Sequence, residues 1–155
     1  MTKSLIITEK PSVARDIVQA MGGFERLDGL PQGVSAWESP HYICTHALGH
    51  LLELYEPEDY DPKFKKWDLR DLPFIPEGFL LKPKSATAPL LRFLRMQISR
   101  SDVIEIVNAC DAAREGELIF REIIQHSLCD KATSRVWLQS LTPDAIRQAI
   151  LQRQP

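Results

Sequence analysis

The chain has no long apolar run, and cysteine is scarce in it. None of its apolar stretches approaches the roughly 20 residues that a helix needs to cross a bilayer, and residues 1–10 show no secretory signal pattern. Its three cysteines are widely spaced and form no C-x-x-C pair. This pattern excludes a membrane-spanning helix, and we interpret the cysteines as reduced packing thiols of a cytosolic protein.

An excess of positive charge is also missing. Lysine and arginine number 19 against 21 aspartates and glutamates, so the net charge is −2. The chain therefore has no general electrostatic footprint for nucleic acid, and any such contact must come from local patches. Charged residues at 26% and apolar residues at 44% are ordinary for a globular protein. With 155 residues, we expect one domain with a sizeable core.

Apolar runs alternate between strand and helix patterns along the chain. Strands are predicted at 4–8, at 34–38, from 41 to about His46, at 102–109 and at 134–139. Helices are predicted at 9–23, 89–101, 115–128 and 141–152. A loop or short helix is expected after His46. Strands that alternate with helices predict an α/β fold with a mostly parallel sheet flanked by helices.

Residues 55–89 break this alternation. They contain six prolines among clusters of acidic and basic side chains. We expect an irregular, proline-rich excursion on the surface of the domain, in which "GFLLKP" (78–83) is the best candidate for a strand.

The segment "ACDAAREGELIF" (109–120) places Asp111, Glu115 and Glu117 directly after a buried strand. Glu9 follows the first strand in the same way. In parallel sheets, ligands bind beyond the carboxyl ends of the strands. Glu9 and Asp111 are therefore the positions where we expect a site, although a carboxylate in this position can also simply cap a helix.

Carboxylates of this kind are the ligands that Mg²⁺ prefers, together with water and phosphate. Glu115 and Glu117 cannot both face one ion, because two residues turn a helix by about 200°. Glu115 is the better ligand, and Glu117 is expected to pair with a base or to cap. Lys10 and Arg114 flank the carboxylates, and this combination favours a phosphate ligand.

Four motifs occur in an order that is similar to the Toprim domain of type IA DNA topoisomerases, closest to the topoisomerase III branch. They are "LIITEKPSVARDIVQAMGG", "THALGHLLEL", "NACDAAREGELIFREI" and "VWLQSLTPDAIRQAI". The resemblance covers essentially the whole chain, including "WDLRDLPFIPEGFLLKP". It implies the Toprim fold, which is Rossmann-like, as a single domain over residues 1–155.

The resemblance also assigns roles to the acidic residues. It implies that Glu9 handles acid–base chemistry at the leaving oxygen and helps to bind Mg²⁺, and that Lys10 contacts the scissile phosphate. Asp111 and Glu115 fall on the first and third positions of the family's D-x-D-x-E metal pattern. Ala113 falls on the second, where the family has Asp, and this departure weakens the expected metal site.

His50 and Arg114 are the remaining DNA-binding candidates, since the resemblance places "GHL" near the DNA path. His46 and His50 are four residues apart, but Gly49 interrupts the helix that a zinc pair would need. Trp67 beside Lys65 and Lys66 leaves two interpretations open. It is either a stacking platform for single-stranded DNA or a core or hinge tryptophan.

Type IA enzymes cut one DNA strand through a tyrosine, pass another strand and reseal. The resemblance places that tyrosine downstream, so we expect an N-terminal domain that lacks the later topoisomerase domains. Expected partners are single-stranded DNA, single-stranded regions of duplex DNA and the remainder of the topoisomerase chain, in the bacterial cytoplasm at the nucleoid, with no membrane. A Toprim nuclease or primase-like protein, and a non-catalytic interaction module favoured by Ala113, remain as alternatives.

Overall fold

The computed structural model describes residues 2–155. Its strands are β1 Lys3–Thr8, β2 Glu25–Arg26, β3 Ala36–Glu38, β4 Tyr42–His46, β5 Leu52–Leu54, β6 Leu81–Pro83, β7 Val103–Ala109 and β8 Ala132–Arg135. Its α-helices are α1 Pro11–Met21, α2 Pro57–Tyr60, α3 Ala88–Ile98, α4 Arg114–His126 and α5 Pro143–Leu151.

The main sheet has six strands in the order β2-β3-β4-β1-β7-β8. Strands β4, β1, β7 and β8 run parallel, and β2 and β3 add antiparallel pairs at one edge. The predicted α/β fold with a mostly parallel sheet is therefore confirmed. None of the helices in residues 2–155 has the length and apolarity needed to span a membrane.

Both faces of β1 are buried, which explains why its sequence is continuously apolar. Leu5 and Ile7 face one core cluster, which includes Phe120 of α4 and residues of α3. Ile6 faces a second cluster on the opposite side, where Ile17 of α1 packs near residues of α5. Each of these side chains is fully buried, and such burial stabilises the fold by about 1.5–3 kcal/mol per large aliphatic side chain.

Local sequence signals set the ends of the helices. Pro11 and Pro143 occupy first-turn positions of α1 and α5, where the missing N–H of proline costs no hydrogen bond. Helix α1 ends at Gly22, whose φ of 66° lies in the left-handed region that favours glycine. The four predicted long helices are all confirmed, with ends that shift by a few residues.

Strands β1 and β7 are neighbours at the centre of the sheet, with Thr8 opposite Ala109. From β1 the sheet extends through β4 on one side, and from β7 it extends through β8 on the other. This point, where the strand order changes direction, is where open α/β sheets bind ligands. The chain emerges here at Glu9 and at Asp111, side by side.

Two predictions of local structure were wrong. The strand expected at 134–139 is instead β8, Ala132–Arg135, because its limits are set by pairing with Glu105–Asn108 of β7 and not by the apolar residues that follow. The loop or short helix expected after His46 includes a strand, β5, which pairs with β6 in a separate two-stranded sheet. The partner of β5 lies within the predicted "GFLLKP" strand, far away in sequence.

The proline-rich excursion has a small aromatic cluster of its own. Tyr60 packs against Tyr55 and Phe74, and Phe74 against Phe64, with ring centroids 4.7–5.4 Å apart. The Tyr60 hydroxyl donates to the Gly78 carbonyl and accepts from the Leu80 amide, both at 2.9 Å. Short turns of 3₁₀ helix connect the rest, at Pro62–Lys65, Leu69–Asp71 and Ser85–Thr87.

Candidate active site

Glu9, Lys10 and Asp111 meet at the carboxyl edge of the two central strands. The Lys10 ammonium donates a 2.5 Å hydrogen bond to Oδ2 of Asp111, across 101 residues of sequence. That hydrogen bond raises the pKa of Lys10, and the charges of Asp111, Glu9 and Glu115 raise it further. One ammonium group therefore lies in the field of the three carboxylates that are predicted to bind Mg²⁺.

Backbone hydrogen bonds fix the position of Glu9. The turn after β4 donates the Ala47 amide to the Thr8 carbonyl at 2.8 Å and the Leu48 amide to the Glu9 carbonyl at 2.9 Å. Leu48 and Gly49 both have φ near 70°, so the chain reverses sharply at this point. The turn at residues 47–49 therefore holds the backbone that carries Glu9.

His50 lies beside the first turns of α4. Its Nδ1 is 3.0 Å from Oε2 of Glu122, and its Nε2 is 3.8 Å from Oε1 of Glu115. The imidazole is largely buried, whereas the Glu115 side chain is mostly exposed. The structure thus brings His50 to the same edge of the sheet as Glu115.

Glu117 is the carboxylate of α4 that is tied into the protein. Its Oε1 accepts from Nε of Arg121 and its Oε2 accepts from Nδ2 of Asn108, both at 2.8 Å. Asn108 is buried in β7. Glu117 therefore anchors α4 to the sheet, while Glu115 stays available to a ligand.

Two residues that the sequence analysis did not single out hold Asp111 in place. A Cβ at Gly116 would lie 2.3 Å from the Asp111 carbonyl oxygen, so only glycine permits this approach of α4. Arg135, which is buried, donates from Nη2 to the same carbonyl at 2.8 Å and from Nη1 to Oδ1 of Asn108. Of these two residues, Gly116 could have been recognised from the sequence, because glycine is unfavourable in a helix unless close packing requires it.

The residues that the structure describes do not form a metal site that is complete in protein ligands. Within residues 2–155, no group of three or more His, Cys, Asp and Glu side chains converges closely enough to hold an ion. Glu9, Asp111 and Glu115 nevertheless offer only hard oxygen donors, which suits Mg²⁺, and this ion commonly needs just one or two protein carboxylates. The donor set therefore fits Mg²⁺ when water and phosphate complete the coordination.

The family of this chain is identified by its similarity to known proteins. The family model described as the Toprim domain matches residues 4–141. The chain belongs to the Toprim domain family. This result confirms the resemblance stated from the motifs.

Relatives of this Toprim domain are found among bacterial topoisomerases. The chain is 42% identical over all of its 155 residues to DNA topoisomerase 3 of Bacillus cereus (strain ATCC 10987 / NRS 248), and 39% identical over 148 residues to DNA topoisomerase 3 of Bacillus subtilis (strain 168). These matches cover 100% and 96% of the chain, but only 20% of each relative. The chain thus spans about a fifth of the length of these relatives.

The fold agrees with a solved topoisomerase structure. Full-length topoisomerase I from Thermotoga maritima superimposes with a TM-score of 0.60 at 19% identity, over 97% of this chain and 21% of that one. At this identity, the likeness supports the fold alone.

Ala113 lies at the site in this Toprim domain, between two cavities. It is the N-cap residue of α4 and provides no side-chain cap. A cavity of about 680 Å³ opens on the Lys10 side, and one of about 470 Å³ opens on the side of Arg114, Arg135 and Trp137; Ala113 lines both. A carboxylate at position 113 would therefore face the site and also cap the helix.

Cys110 and Tyr60 are poorly placed to act as nucleophiles. Burial raises the pKa of the Cys110 thiol to about 12, so it stays protonated at neutral pH. The three cysteines are free, as predicted. Tyr55 and Tyr60 belong to the aromatic cluster of the excursion. The Tyr60 hydroxyl there donates one hydrogen bond and accepts another.

Proposed function

We propose that this chain is a single Toprim domain that serves a type IA DNA topoisomerase of the topoisomerase III kind. In this reaction one DNA strand is cut through a 5′-phosphotyrosine, another strand is passed, and the break is resealed. The tyrosine lies outside residues 1–155. The observation that carries the proposal is the Lys10–Asp111 pair beside Glu9 at the central strand ends, in a chain 42% identical over its full length to a DNA topoisomerase 3.

Lys10 is proposed to bind the scissile phosphate. Its ammonium is mostly exposed and has a single carboxylate partner in Asp111, so an incoming phosphodiester oxygen can replace or share that partner. A fixed cation at a developing negative charge is the main electrostatic requirement of phosphoryl transfer. Because Arg135 and Gly116 fix the Asp111 backbone, the ammonium is held before DNA arrives.

Glu9 is proposed to carry the proton to and from the leaving 3′-oxygen, as a general acid and base. The backbone bond from Leu48 holds it next to Lys10. Arg114, which is exposed at the start of α4, and His50, which touches Glu115, are proposed DNA contacts at the two flanks of this edge.

Glu9, Asp111 and Glu115 would hold Mg²⁺, which supplies charge neutralisation at the phosphate. With Ala113 in place of the family's Asp, the protein offers one carboxylate fewer. We therefore propose that the domain alone binds Mg²⁺ weakly, and that DNA phosphate and water provide the remaining ligands.

The substrate is proposed to be single-stranded DNA or a single-stranded region of duplex DNA, in the cytoplasm of a bacterium, at the nucleoid. The remainder of a topoisomerase polypeptide would provide the domains that grip the strands. DNA as the substrate is supported by the relatives, which are named DNA topoisomerase 3 and come from Bacillus species. The single-stranded preference and the location at the nucleoid are proposed from the resemblance to the topoisomerase III branch.

A chimera tests the proposal directly. Residues 1–155 replace the matching fifth of the Bacillus cereus topoisomerase 3, and relaxation of negatively supercoiled DNA is measured with Mg²⁺. We expect relaxation that is lost with Glu9→Gln and with Lys10→Ala. A folded chimera that relaxes nothing, while its Ala113→Asp variant also stays inactive, would refute the proposal.

Ala113 favours one second candidate, a Toprim domain that binds without catalysing. In that case the chimera gains activity only when Ala113→Asp restores the missing carboxylate. A nuclease or primase-like activity would instead appear as Mg²⁺-dependent nicking or primer synthesis by the chain alone.

A further inference from the structure

We propose that Trp67, together with Lys65 and Lys66, forms a stacking contact for single-stranded nucleic acid on the proline-rich excursion. The choice of ligand rests on the proposed function. The contact itself rests on exposure, local order and charge, and it involves none of the residues at the carboxyl edge of the sheet.

Trp67 takes no part in the aromatic cluster of the excursion. The Trp67 residue is 72% exposed, whereas Tyr60, Phe64 and Phe74 pack against one another with centroids about 5 Å apart. This finding rules out the core interpretation that the sequence left open. A tryptophan that is mostly unpacked and presents its ring to solvent is typical of a binding surface.

The segment that carries Trp67 is held at both ends. Lys66 and Trp67 connect the 3₁₀ turns Pro62–Lys65 and Leu69–Asp71. Asp61 caps the first turn by accepting from the Lys63 amide at 2.9 Å, and Asp68 caps the second by accepting from the Arg70 amide at 2.9 Å. The ring is therefore presented by an ordered connector, which lowers the entropic cost of binding.

The charge beside the ring suits a phosphate backbone. Asp61 pairs with Lys63 at 3.9 Å, and Asp68 pairs with Arg70 at 2.6 Å. In residues 61–71, as the structure describes them, Lys65 and Lys66 have no ion-pair partner, and the only acid without one is Asp71. Two available cations next to an exposed ring match the pattern of single-strand binding sites, where bases stack and lysines follow the phosphates.

A protein partner is the competing occupant, because Leu69 and Ile75 are 87% and 80% exposed nearby. Lysine is depleted from protein interfaces, however, and their cores are apolar. Two lysines immediately before the tryptophan would be costly in such a core. The observations therefore favour nucleic acid at Trp67.

The test measures binding of a fluorescently labelled 20-nucleotide thymidine strand to the 155-residue chain at low salt, by anisotropy. Base stacking on an aromatic ring is worth about 1–3 kcal/mol, so Trp67→Ala should weaken binding by about 5–150-fold. Trp67→Phe should recover most of the loss, because it restores a stacking face. Phe79→Ala is the matched control: Phe79 is 78% exposed on the same excursion, and its removal should leave the affinity unchanged.

The lysines are tested by the salt dependence. Lys65→Gln with Lys66→Gln should lower the slope of log affinity against log salt by roughly 1.4, at about 0.7 for each single-strand phosphate contact. Arg92→Gln, a basic-to-neutral change at an exposed position of α3, should not alter that slope.

Three results would overturn the inference: no binding of the strand at low salt, equal affinity of Trp67→Ala and the parent, or equal losses from Trp67→Ala and Phe79→Ala. If Trp67→Ala instead abolishes self-association or capture of a purified protein without changing strand binding, the surface is a protein-docking site. This outcome can be separated from a failure of the proposed function. Relaxation by the chimera depends on Glu9, whereas binding of the strand to the Trp67 surface does not depend on Glu9.

Discussion

Replacing Gly116 by alanine tests how the site is held together. The added Cβ would lie 2.3 Å from the Asp111 carbonyl oxygen, 2.9 Å from its amide nitrogen and 3.1 Å from its carbonyl carbon. These are backbone atoms, so no side chain can rotate away, and α4 or the 110–113 loop must move by about 1 Å to reach ordinary contact distance.

Two opposing effects set the magnitude for Gly116→Ala. Alanine gains about 0.5–1 kcal/mol over glycine in a helix, whereas overpacking of this kind costs about 1–3 kcal/mol. We expect a net loss of about 1–2 kcal/mol, which corresponds to roughly 2–8 °C in Tm for a chain of this size. A displacement of about 1 Å at the proposed phosphate-binding groups should also reduce relaxation by the chimera about 10²-fold.

Thermal melting of the 155-residue chain measures the first effect, and relaxation by the chimera measures the second. Gly78→Ala is the matched control, because a Cβ at Gly78 meets nothing within 4 Å and Gly78 has no positive φ. Its Tm should stay within about 2 °C of the parent. If Gly116→Ala melts and relaxes DNA like Gly78→Ala, then α4 does not hold Asp111 by close packing, and our account of the site fails.

Three further predictions concern other groups. In the chimera, Glu9→Gln should reduce relaxation about 10²–10⁴-fold, and Glu117→Gln should cost far less, because Glu117 is bound to Asn108 and Arg121; equal effects would show that the roles are wrongly assigned. Ala113→Asp should tighten Mg²⁺ binding in calorimetric titration, whereas Ala113→Asn should not. As an N-cap residue, Asn should stabilise α4 by about 1 kcal/mol, whereas in chelator Asp should stabilise it less, because its charge would crowd Asp111 and Glu115. If Ala113→Asp does not tighten Mg²⁺ binding, residue 113 lies outside the proposed metal site. Hydrogen bonds to Glu105, chiefly from Arg153 and then from Ser134 and Ser4, lower its pKa from 4.5 to about 2. A shift of this size is worth about 3 kcal/mol, which solvent screening of the partly exposed carboxylate reduces to about 2 kcal/mol. Since the folded pKa lies below the unfolded one, this contribution is present above about pH 5 and is lost as the pH falls toward 2. The Tm difference between the parent and Glu105→Gln should therefore shrink from pH 6 to pH 3, and a difference independent of pH would contradict the ion pair with Arg153.

The sequence by itself determined the helices, the central strands and the two strand ends where Glu9 and Asp111 lie. These features follow from short continuous apolar runs, from the helical period of 3.6 residues and from proline and glycine at helix ends, all of which are properties of neighbouring residues. It also indicated the unequal roles of Glu115 and Glu117, because the rotation of a helix is fixed.

Only the tertiary structure decided which groups meet. The Lys10–Asp111 bond spans 101 residues, and the bond from Arg135 to the Asp111 carbonyl spans 24. The pairing of β5 with β6 joins the segment before the excursion to a strand near the excursion's end. The end of β8 was set by its pairing with β7. Trp67 is exposed because the aromatic side chains of the excursion pack against one another and not against its ring. Such contacts depend on how whole elements pack, and a side chain's surroundings after packing are not contained in the pattern of its sequence neighbours.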